Sequence, residues 1–171
     1  MTIEEFVEAC KAAALEDRAT AAVSEVVERC VGDTAFLDEL PGARPGIFPL
    51  HREDALSIFK IVVPPGYVSL PHDHRMWAVI GIFSGREDNE FFRRAGDTLQ
   101  ASGGRSITDG EVLSLGTQTI HAVGNPLQHA GTVAIHVYGG DLVTAERSMW
   151  TSDPWTEAPY DALSVTGTTL A

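Results

Sequence analysis

Two early segments of the chain carry apolar residues at helical spacing. These residues are Ile3, Phe6, Cys10 and Ala13 in the first segment, and Val23, Val26, Val27 and Cys30 in the second. Thr2 followed by Glu5 fits a capping box, and Gly32 is typical of a helix end. The pattern predicts two amphipathic helices, one to about Glu16 and one ending near Gly32, which pack on the outside of the remaining chain.

From residue 47 onward, short apolar runs are separated by turn residues. The predicted strands are Ile47–His51, Ala55–Val63, Trp77–Phe83, Glu87–Arg94, Thr98–Ala101, Glu111–Leu115, Thr119–Val123 and Thr132–Tyr138. Helical patterns do not alternate with these runs, so a parallel α/β sheet is not expected. Many short strands at regular spacing predict an all-β sandwich or barrel.

The 171 residues fit a single domain with three parts. Residues 1–40 are predicted to form an N-terminal helical segment, residues 41–148 the barrel, and residues 149–171 a C-terminal tail. The tail has Pro154 and Pro159 among mixed polar residues. We expect it to lie as a strap over the barrel, with a disordered end.

Charge and composition narrow the range of partners and compartments. The formal net charge of −12 argues against nucleic acid or an anionic membrane as a partner. No apolar run approaches the length of a membrane span, and the first residues lack the features of a signal peptide. We therefore expect a cytoplasmic protein, either a monomer or a homodimer. Cys10 and Cys30 fit either a disulfide or two buried free thiols, and a reducing cytoplasm favours the thiols.

The candidate chemistry centres on His72 and His74, which are separated by one residue. On an extended segment, side chains two residues apart point to the same side, so these two imidazoles can hold one metal ion. A third ligand must come from elsewhere in the chain, and His121 is the best candidate. The sequence therefore predicts a metal site of His72, His74 and His121.

The spacing around these histidines resembles both motifs of the cupin superfamily. The first motif is glycine, five residues, His-x-His, three or four residues, glutamate, six residues and glycine, and the second places a histidine and an asparagine behind a glycine. The matching residues are Gly66, His72, His74 and Gly85 for the first, and Gly110, His121 and Asn125 for the second. The resemblance implies an all-β cupin barrel, also called a double-stranded β-helix or jelly roll, behind the two N-terminal helices.

One departure from the first motif points to a particular branch of that superfamily. The glutamate position falls on Ala78, or on Val79 in the longer variant. Three histidines without a carboxylate resemble the cysteine dioxygenase-like branch, whose outer-sphere pair matches His136 and Tyr138, although Ala134 stands at that family's serine. Residues 71–89 also resemble a bacterial group of predicted double-stranded β-helix metal-dependent proteins. The resemblance implies catalytic roles for His136 and Tyr138, an Fe(II) cofactor, and a small thiol and O₂ as partners.

The ligand set leaves other chemistries open. Three neutral imidazoles leave a divalent ion its full charge, and an octahedral ion would have three open positions for a thiolate and O₂. Three histidines equally suit zinc as a site for activated water. The alternatives are an isomerase or hydrolase that uses Zn, Mn or Ni as a Lewis acid, and a non-catalytic cupin that binds a small anion.

A thiol acid substrate would need a cation for its carboxylate, preferably a bidentate arginine. Arg52 precedes the strand that leads to the histidine pair and is the first choice, and Arg86 is the second. Trp77 and Tyr67 are expected to form walls of the substrate pocket. The polar run at residues 87–89 is expected to form a turn or rim without a metal role.

Overall fold

Three helices and eleven strands make up the computed structural model, which describes residues 1–151 and 154–161. The helices are α1 (Ile3–Ala14), α2 (Ala19–Val31) and α3 (Thr34–Glu39). The strands are β1 (Gly46–Glu53), β2 (Leu56–Val63), β3 (His72–Asp73), β4 (Ala78–Ser84), β5 (Arg86–Ala95), β6 (Thr98–Thr108), β7 (Val112–Leu115), β8 (Ile120–Gly124), β9 (Thr132–Tyr138), β10 (Ser148–Thr151) and β11 (Thr156–Pro159). The disorder expected at the end of the tail concerns residues that lie outside the described part of the chain.

The strands form two antiparallel sheets that enclose a common interior. The first sheet has the order β1-β2-β9-β4-β7, and the second has the order β11-β10-β3-β8-β5-β6. Chain neighbours such as β5 and β6 pair as a hairpin, whereas β9 returns between β2 and β4 and so links distant parts of the sequence. The prediction of an all-β fold behind N-terminal helices is confirmed.

The central strands of the first sheet, β2, β9 and β4, are buried on both faces, because the helices cover the outer face of the sheet. In β4, Val79 and Phe83 belong to the core that the sheet shares with the helices, whereas Ala78, Ile80 and Ile82 belong to the core inside the barrel. Successive strand side chains point to opposite faces, so a strand buried on both faces is apolar throughout.

A glycine sets how closely the second helix approaches this sheet. A Cβ atom on Gly81 of β4 would lie 2.6 Å from a methyl carbon of Val31, and closer still to one of Val27. Both valines are on α2, and both are buried. Only a residue without a side chain fits at this contact, which fixes α2 against β4.

Four elements are absent from the predicted set, and all four are short. Helix α3 has six residues, too few for an apolar period to show, and Asp33 caps it by accepting a hydrogen bond from the backbone N–H of Phe36 at 3.1 Å. Strand β3 consists of His72 and Asp73 alone. Strands β10 and β11 have four residues each and, apart from Ser148, belong to the region predicted as a strap.

This strap continues the second sheet. Strand β10 pairs with β3, and β11 pairs with β10. Glu157 on β11 forms a salt bridge with Arg94 of β5 and accepts a hydrogen bond from the hydroxyl of Ser148 at 2.6 Å. These contacts hold the chain so that Tyr160, directly after β11, reaches the interior cavity.

Two further expectations concern the state of the cysteines and the presence of a membrane span. Cys10 and Cys30 are both free and buried, in agreement with the thiol alternative. Burial raises the pKa of each thiol to about 12, which keeps both protonated and unreactive at neutral pH. Within the described ranges, every helix is too short or too polar to cross a bilayer.

Candidate metal site

Three buried histidines converge at one point in the interior. His72 on β3 lies directly opposite His121 on β8 in the antiparallel register, and His74 follows on the same side as His72. One ring nitrogen from each of the three histidines lies within 4.8 Å of the others. The exposed fractions of His72, His74 and His121 are 7%, 5% and 1%, respectively, so the cluster is shielded from bulk water.

Hydrogen bonds behind two of the rings fix which nitrogen faces the cluster. Nδ1 of His72 lies 3.0 Å from the carbonyl oxygen of Leu70, and Nδ1 of His121 lies 2.7 Å from the side-chain oxygen of Asn89. Both partners are acceptors, so each Nδ1 carries the proton and each Nε2 has a free lone pair. Nε2 of His121 lies 3.5 Å from Nε2 of His74. Ring nitrogens that face one another at this distance suit a bound metal ion.

Burial also keeps the imidazoles neutral, as metal ligands must be. Burial lowers the pKa of His72 to about 4 and holds the pKa values of His74 and His121 well below the ordinary histidine range. The neighbouring histidines lower the pKa values of His74 and His121 further. At neutral pH, protons therefore do not compete effectively with a metal for these nitrogens.

The cluster forms part of the wall of a cavity of about 290 Å³. Much of the wall is apolar, from Ile47, Phe59, Ile61, Val63, Val123, Leu142 and Val143. The polar lining residues include the three histidines, Tyr67, Glu87, His136, Tyr138, Arg147 and Tyr160. A cavity of this size, mostly apolar with a few polar groups, is typical of a small-molecule site.

His136 and Tyr138 lie together beside the histidine cluster. Both point inward from β9, and Nδ1 of His136 lies 3.0 Å from the Tyr138 hydroxyl oxygen. The ring of Tyr138 meets that of His74 edge-on, with 5.0 Å between centroids. The phenol is fully buried, and burial raises its pKa. The structure thus brings this predicted pair next to the predicted metal ligands.

Searches against known proteins add evidence on the fold. No family model matches the chain. A double-stranded β-helix protein from Klebsiella pneumoniae has a TM-score of 0.50 at 11% identity, and the match covers 66% of this chain and 90% of that protein. The barrel has the cupin fold.

Two further solved structures have slightly lower TM-scores. An RmlC-like cupin from Methanocaldococcus jannaschii has a TM-score of 0.48 at 12% identity, covering 60% of this chain and 85% of that one. The DMSP lyase DddQ from Ruegeria pomeroyi has a TM-score of 0.47 at 20% identity, covering 61% of this chain. The match spans about half of the lyase, 53% of its length. At these identities the likeness concerns the fold of the cupin barrel alone.

The four residues predicted to bind substrate fall in different places. Tyr67 lines the cavity of the cupin barrel, whereas Arg52, Arg86 and Trp77 are not among its lining residues. Arg52 makes a bidentate pair with Asp141, at 2.8 and 2.9 Å.

Arg86 and Trp77 are also engaged elsewhere. Arg86 binds the carboxylate of Asp88 on the exposed face of β5. Trp77 packs against the core under the helices. Its ring also covers Gly139, where a Cβ would collide with it.

Glu87 departs most clearly from its expected place in a polar rim. It is only 1% exposed and lines the cavity, because residues 87–89 belong to strand β5 and alternate in direction. Glu87 and Asn89 point inward, while Asp88 between them points out. All three residues of this stretch are polar, so the sequence shows no alternation of apolar and polar residues from which the inward direction of Glu87 could be predicted.

Arg147 was also missed as a cavity residue. It lies directly before β10, at the end of the segment predicted as the barrel, and its guanidinium lies over the ring of Tyr160, with 3.7 Å to the centroid. Nε of Arg147 is buried and has no hydrogen-bond partner among the described residues. The cation facing the cavity thus comes from the segment directly before β10, which has no sequence pattern that places it near the histidines.

Proposed function

We propose that this cupin is a thiol dioxygenase-like oxidoreductase, in which His72, His74 and His121 hold Fe(II) and O₂ is added to the sulfur of a small thiol. The observation that carries this proposal is the composition of the ligand cluster. It consists of three buried neutral histidines, and no carboxylate joins it within the described residues. Two-histidine sites with a carboxylate are the usual arrangement for non-haem iron, so the negative charge must come from another source.

A thiolate substrate is a natural source of that charge. When bound to three neutral imidazoles, Fe(II) would offer open positions to a thiolate and O₂ side by side. The cavity of about 290 Å³ accommodates only a small substrate. Its apolar walls exclude water, which strengthens the attraction between the charged groups inside.

Arg147 is the proposed partner for a substrate carboxylate, in place of Arg52. A guanidinium recognises a carboxylate through two parallel hydrogen bonds, and Nε of Arg147 has no such partner among the described residues. Tyr160 supports the guanidinium from one side through the stacking contact. The favoured substrate is therefore a thiol that carries a carboxylate.

Tyr138 and His136 are proposed to act on the substrate from beside the metal. The Tyr138 ring contacts His74 edge-on, which places the phenol beside a predicted metal ligand. His136 binds that hydroxyl and orients it. The proposed location is the reducing cytoplasm, where small thiols are available. The proposed oligomeric state is a monomer or a homodimer.

A second candidate is an isomerase or hydrolase with Zn, Mn or Ni as a Lewis acid. The buried carboxylate of Glu87 in the cavity wall favours it, because such reactions use a general base near the metal. The physiological metal separates the two candidates, since the dioxygenase reaction requires iron.

The test is metal analysis of protein purified without added metal, followed by oxygen uptake of the iron-loaded protein. Cysteine, 3-mercaptopropionate and cysteamine form a suitable panel, because cysteamine lacks the carboxylate. We expect uptake that depends on thiol and is faster with the two carboxylates. Absence of thiol-dependent uptake with all three compounds would refute the dioxygenase, and zinc as the only metal bound would favour the Lewis-acid enzyme.

A further inference from the structure

A line of buried polar groups runs from one metal ligand to Tyr138. Its members are His121, Asn89, Glu87, His136 and Tyr138, and each is at most 5% exposed. They come from three strands, β8, β5 and β9. The proton positions along this line decide whether the Tyr138 hydroxyl gives or accepts a hydrogen bond in the cavity.

The direction is fixed from the His121 end. If Nε2 of His121 binds a metal, Nδ1 carries the proton and donates to the side-chain oxygen of Asn89 at 2.7 Å. The amide nitrogen of Asn89 then faces Glu87 and donates to its Oε1 at 2.9 Å. Turning the amide over would place two donors against each other at His121, so Asn89 has one orientation.

Glu87 has a second oxygen that faces the other half of the line. Oε2 lies 3.6 Å from Nε2 of His136, somewhat beyond hydrogen-bond length. Neither atom has a hydrogen-bond partner among the described residues, and both are buried. A carboxylate oxygen can only accept, so the group that satisfies both atoms is a proton on Nε2 of His136. Polar contacts of this kind are often long in the unliganded state and shorten when substrate binds.

We propose that Glu87 is a positioning residue, which holds a proton on Nε2 of His136 and so turns the Tyr138 oxygen toward the cavity as an acceptor. In the neutral imidazole, a proton on Nε2 leaves Nδ1 of His136 as an acceptor, and the hydroxyl of Tyr138 donates to it across the 3.0 Å contact. The lone pairs of the Tyr138 oxygen are then left for a donor in the cavity. The direction of the hydrogen bonds along the line reverses at Glu87, because one of its oxygens accepts from Asn89 and the other accepts from His136.

This inference rests on the proposed function only for the identity of the group that donates a hydrogen bond to the Tyr138 oxygen. If the substrate is a thiol, the Tyr138 oxygen accepts a hydrogen bond from the S–H group as the substrate enters. The carboxylate also supplies the partner for His136 that Ala134, an apolar residue on the same face of β9, cannot provide.

The substitution Glu87→Gln tests the proton position directly. The amide oxygen must stay on Asn89, which donates, so the amide NH₂ faces His136 and donates to Nε2. We expect the proton of His136 to move from Nε2 to Nδ1, which reverses the Tyr138 hydroxyl. The measurement is long-range ¹H–¹⁵N NMR of the six histidines in metal-free and zinc-loaded protein, with His136 assigned by comparison with His136→Gln.

Two matched variants keep this test decisive. Glu87→Asp retains the carboxylate and should leave the proton on Nε2, even if it reduces stability. Glu90→Gln makes the same charge change on the exposed face of β5 and should alter nothing at His136. A proton on Nδ1 in the unmodified protein, or on Nε2 in Glu87→Gln, would overturn the proposal.

Turnover gives an independent measurement if the protein consumes a thiol. Glu87→Gln should lower kcat about 10–100-fold with little change in KM and with full metal content, and Glu87→Asp should restore part of the rate. Loss of metal in Glu87→Gln would assign the residue to metal retention through Asn89 instead, and would contradict the proposal. If the unmodified protein oxidises no thiol, the proposed function fails, while the NMR result still decides the role of Glu87.

Discussion

At the scale of single residues, the sequence located the histidines but not the groups that complete the site. His72, His74 and His121 stand at recognisable spacings, and extended geometry alone puts the first two on one side. Glu87 and Arg147 have no such spacing. Their side chains reach the cavity because of strand direction in β5 and the return of the chain after β9, and neither feature can be read locally.

The first prediction concerns the metal ligands. Alanine at position 72, 74 or 121 should each reduce bound metal to near background, because two imidazoles hold a divalent ion far more weakly than three. Metal content per protein chain after dialysis is the measurement. His129→Ala, in an exposed loop, is the matched control and should keep full metal content. Any one of the three variants with normal metal content would remove that histidine from the ligand set.

The second prediction concerns substrate recognition by Arg147. Arg147→Gln should raise KM for 3-mercaptopropionate by about 10–100-fold, the value of a lost charge-assisted hydrogen bond. The KM for cysteamine, which has no carboxylate, should change little. Arg93→Gln removes an exposed arginine that binds Gln100 and serves as the control. Equal effects on both thiols would show that Arg147 does not contact the carboxylate.

At the scale of elements, long periodic segments were predictable and short ones were not. The two amphipathic helices and strands such as β2, β4 and β9 carry enough apolar residues to define their period. Strand β6 extends to Thr108, well past the predicted end. The prediction ended too early because most positions in the second part of this strand are polar or small and exposed, and so show no apolar period. Strand β3 has two residues but carries His72, so the most important strand for the site is among the least visible in the sequence.

The third prediction concerns the contact between α2 and β4. Gly81→Ala should destabilise the protein by about 1–3 kcal/mol, because the added methyl group overlaps Val27 and Val31 in a close-packed interior. Urea unfolding monitored by circular dichroism measures the change. Gly32→Ala provides the control, since a Cβ there meets nothing within 4 Å, and we expect a change near zero. Equal stability of Gly81→Ala and the unmodified protein would show that this contact adapts easily.

At the scale of the whole molecule, the two sheets bring together residues from distant parts of the chain. The register of β3 against β8 places His72 opposite His121, and Arg147 before β10 and Tyr160 after β11 line the same cavity. The cupin resemblance predicted the barrel and its metal ligands, whereas the positions of Arg147 and Tyr160 in the cavity wall required the structure. Burial of three histidines in one cluster also makes the stability of the entire fold depend on pH.

The fourth prediction is that acid weakens the metal-free protein at unusually mild pH. Burial lowers the pKa of His72 to about 4, whereas an unfolded histidine has a pKa of about 6.5. Between these values the unfolded chain binds more protons, so the free energy of unfolding must decrease as the pH falls. The fully buried His72 alone contributes up to about 1.4 kcal/mol per pH unit, roughly 3 kcal/mol over the interval, and His74 and His121 act in the same direction.

Carboxylates with lowered pKa values, such as Glu157 at about 2, lose their contribution mainly below the ordinary range of about 4 to 4.5. Between about pH 6.5 and 5, the change in the free energy of unfolding therefore comes mainly from the histidines. Urea unfolding of the metal-free protein across this window is the measurement, and the double variant His72→Gln/His74→Gln is the comparison. We expect a steep loss of stability in the unmodified protein and a shallower one in the variant. Parallel curves for the two proteins would mean that these imidazoles accept protons in the folded state as readily as in the unfolded chain.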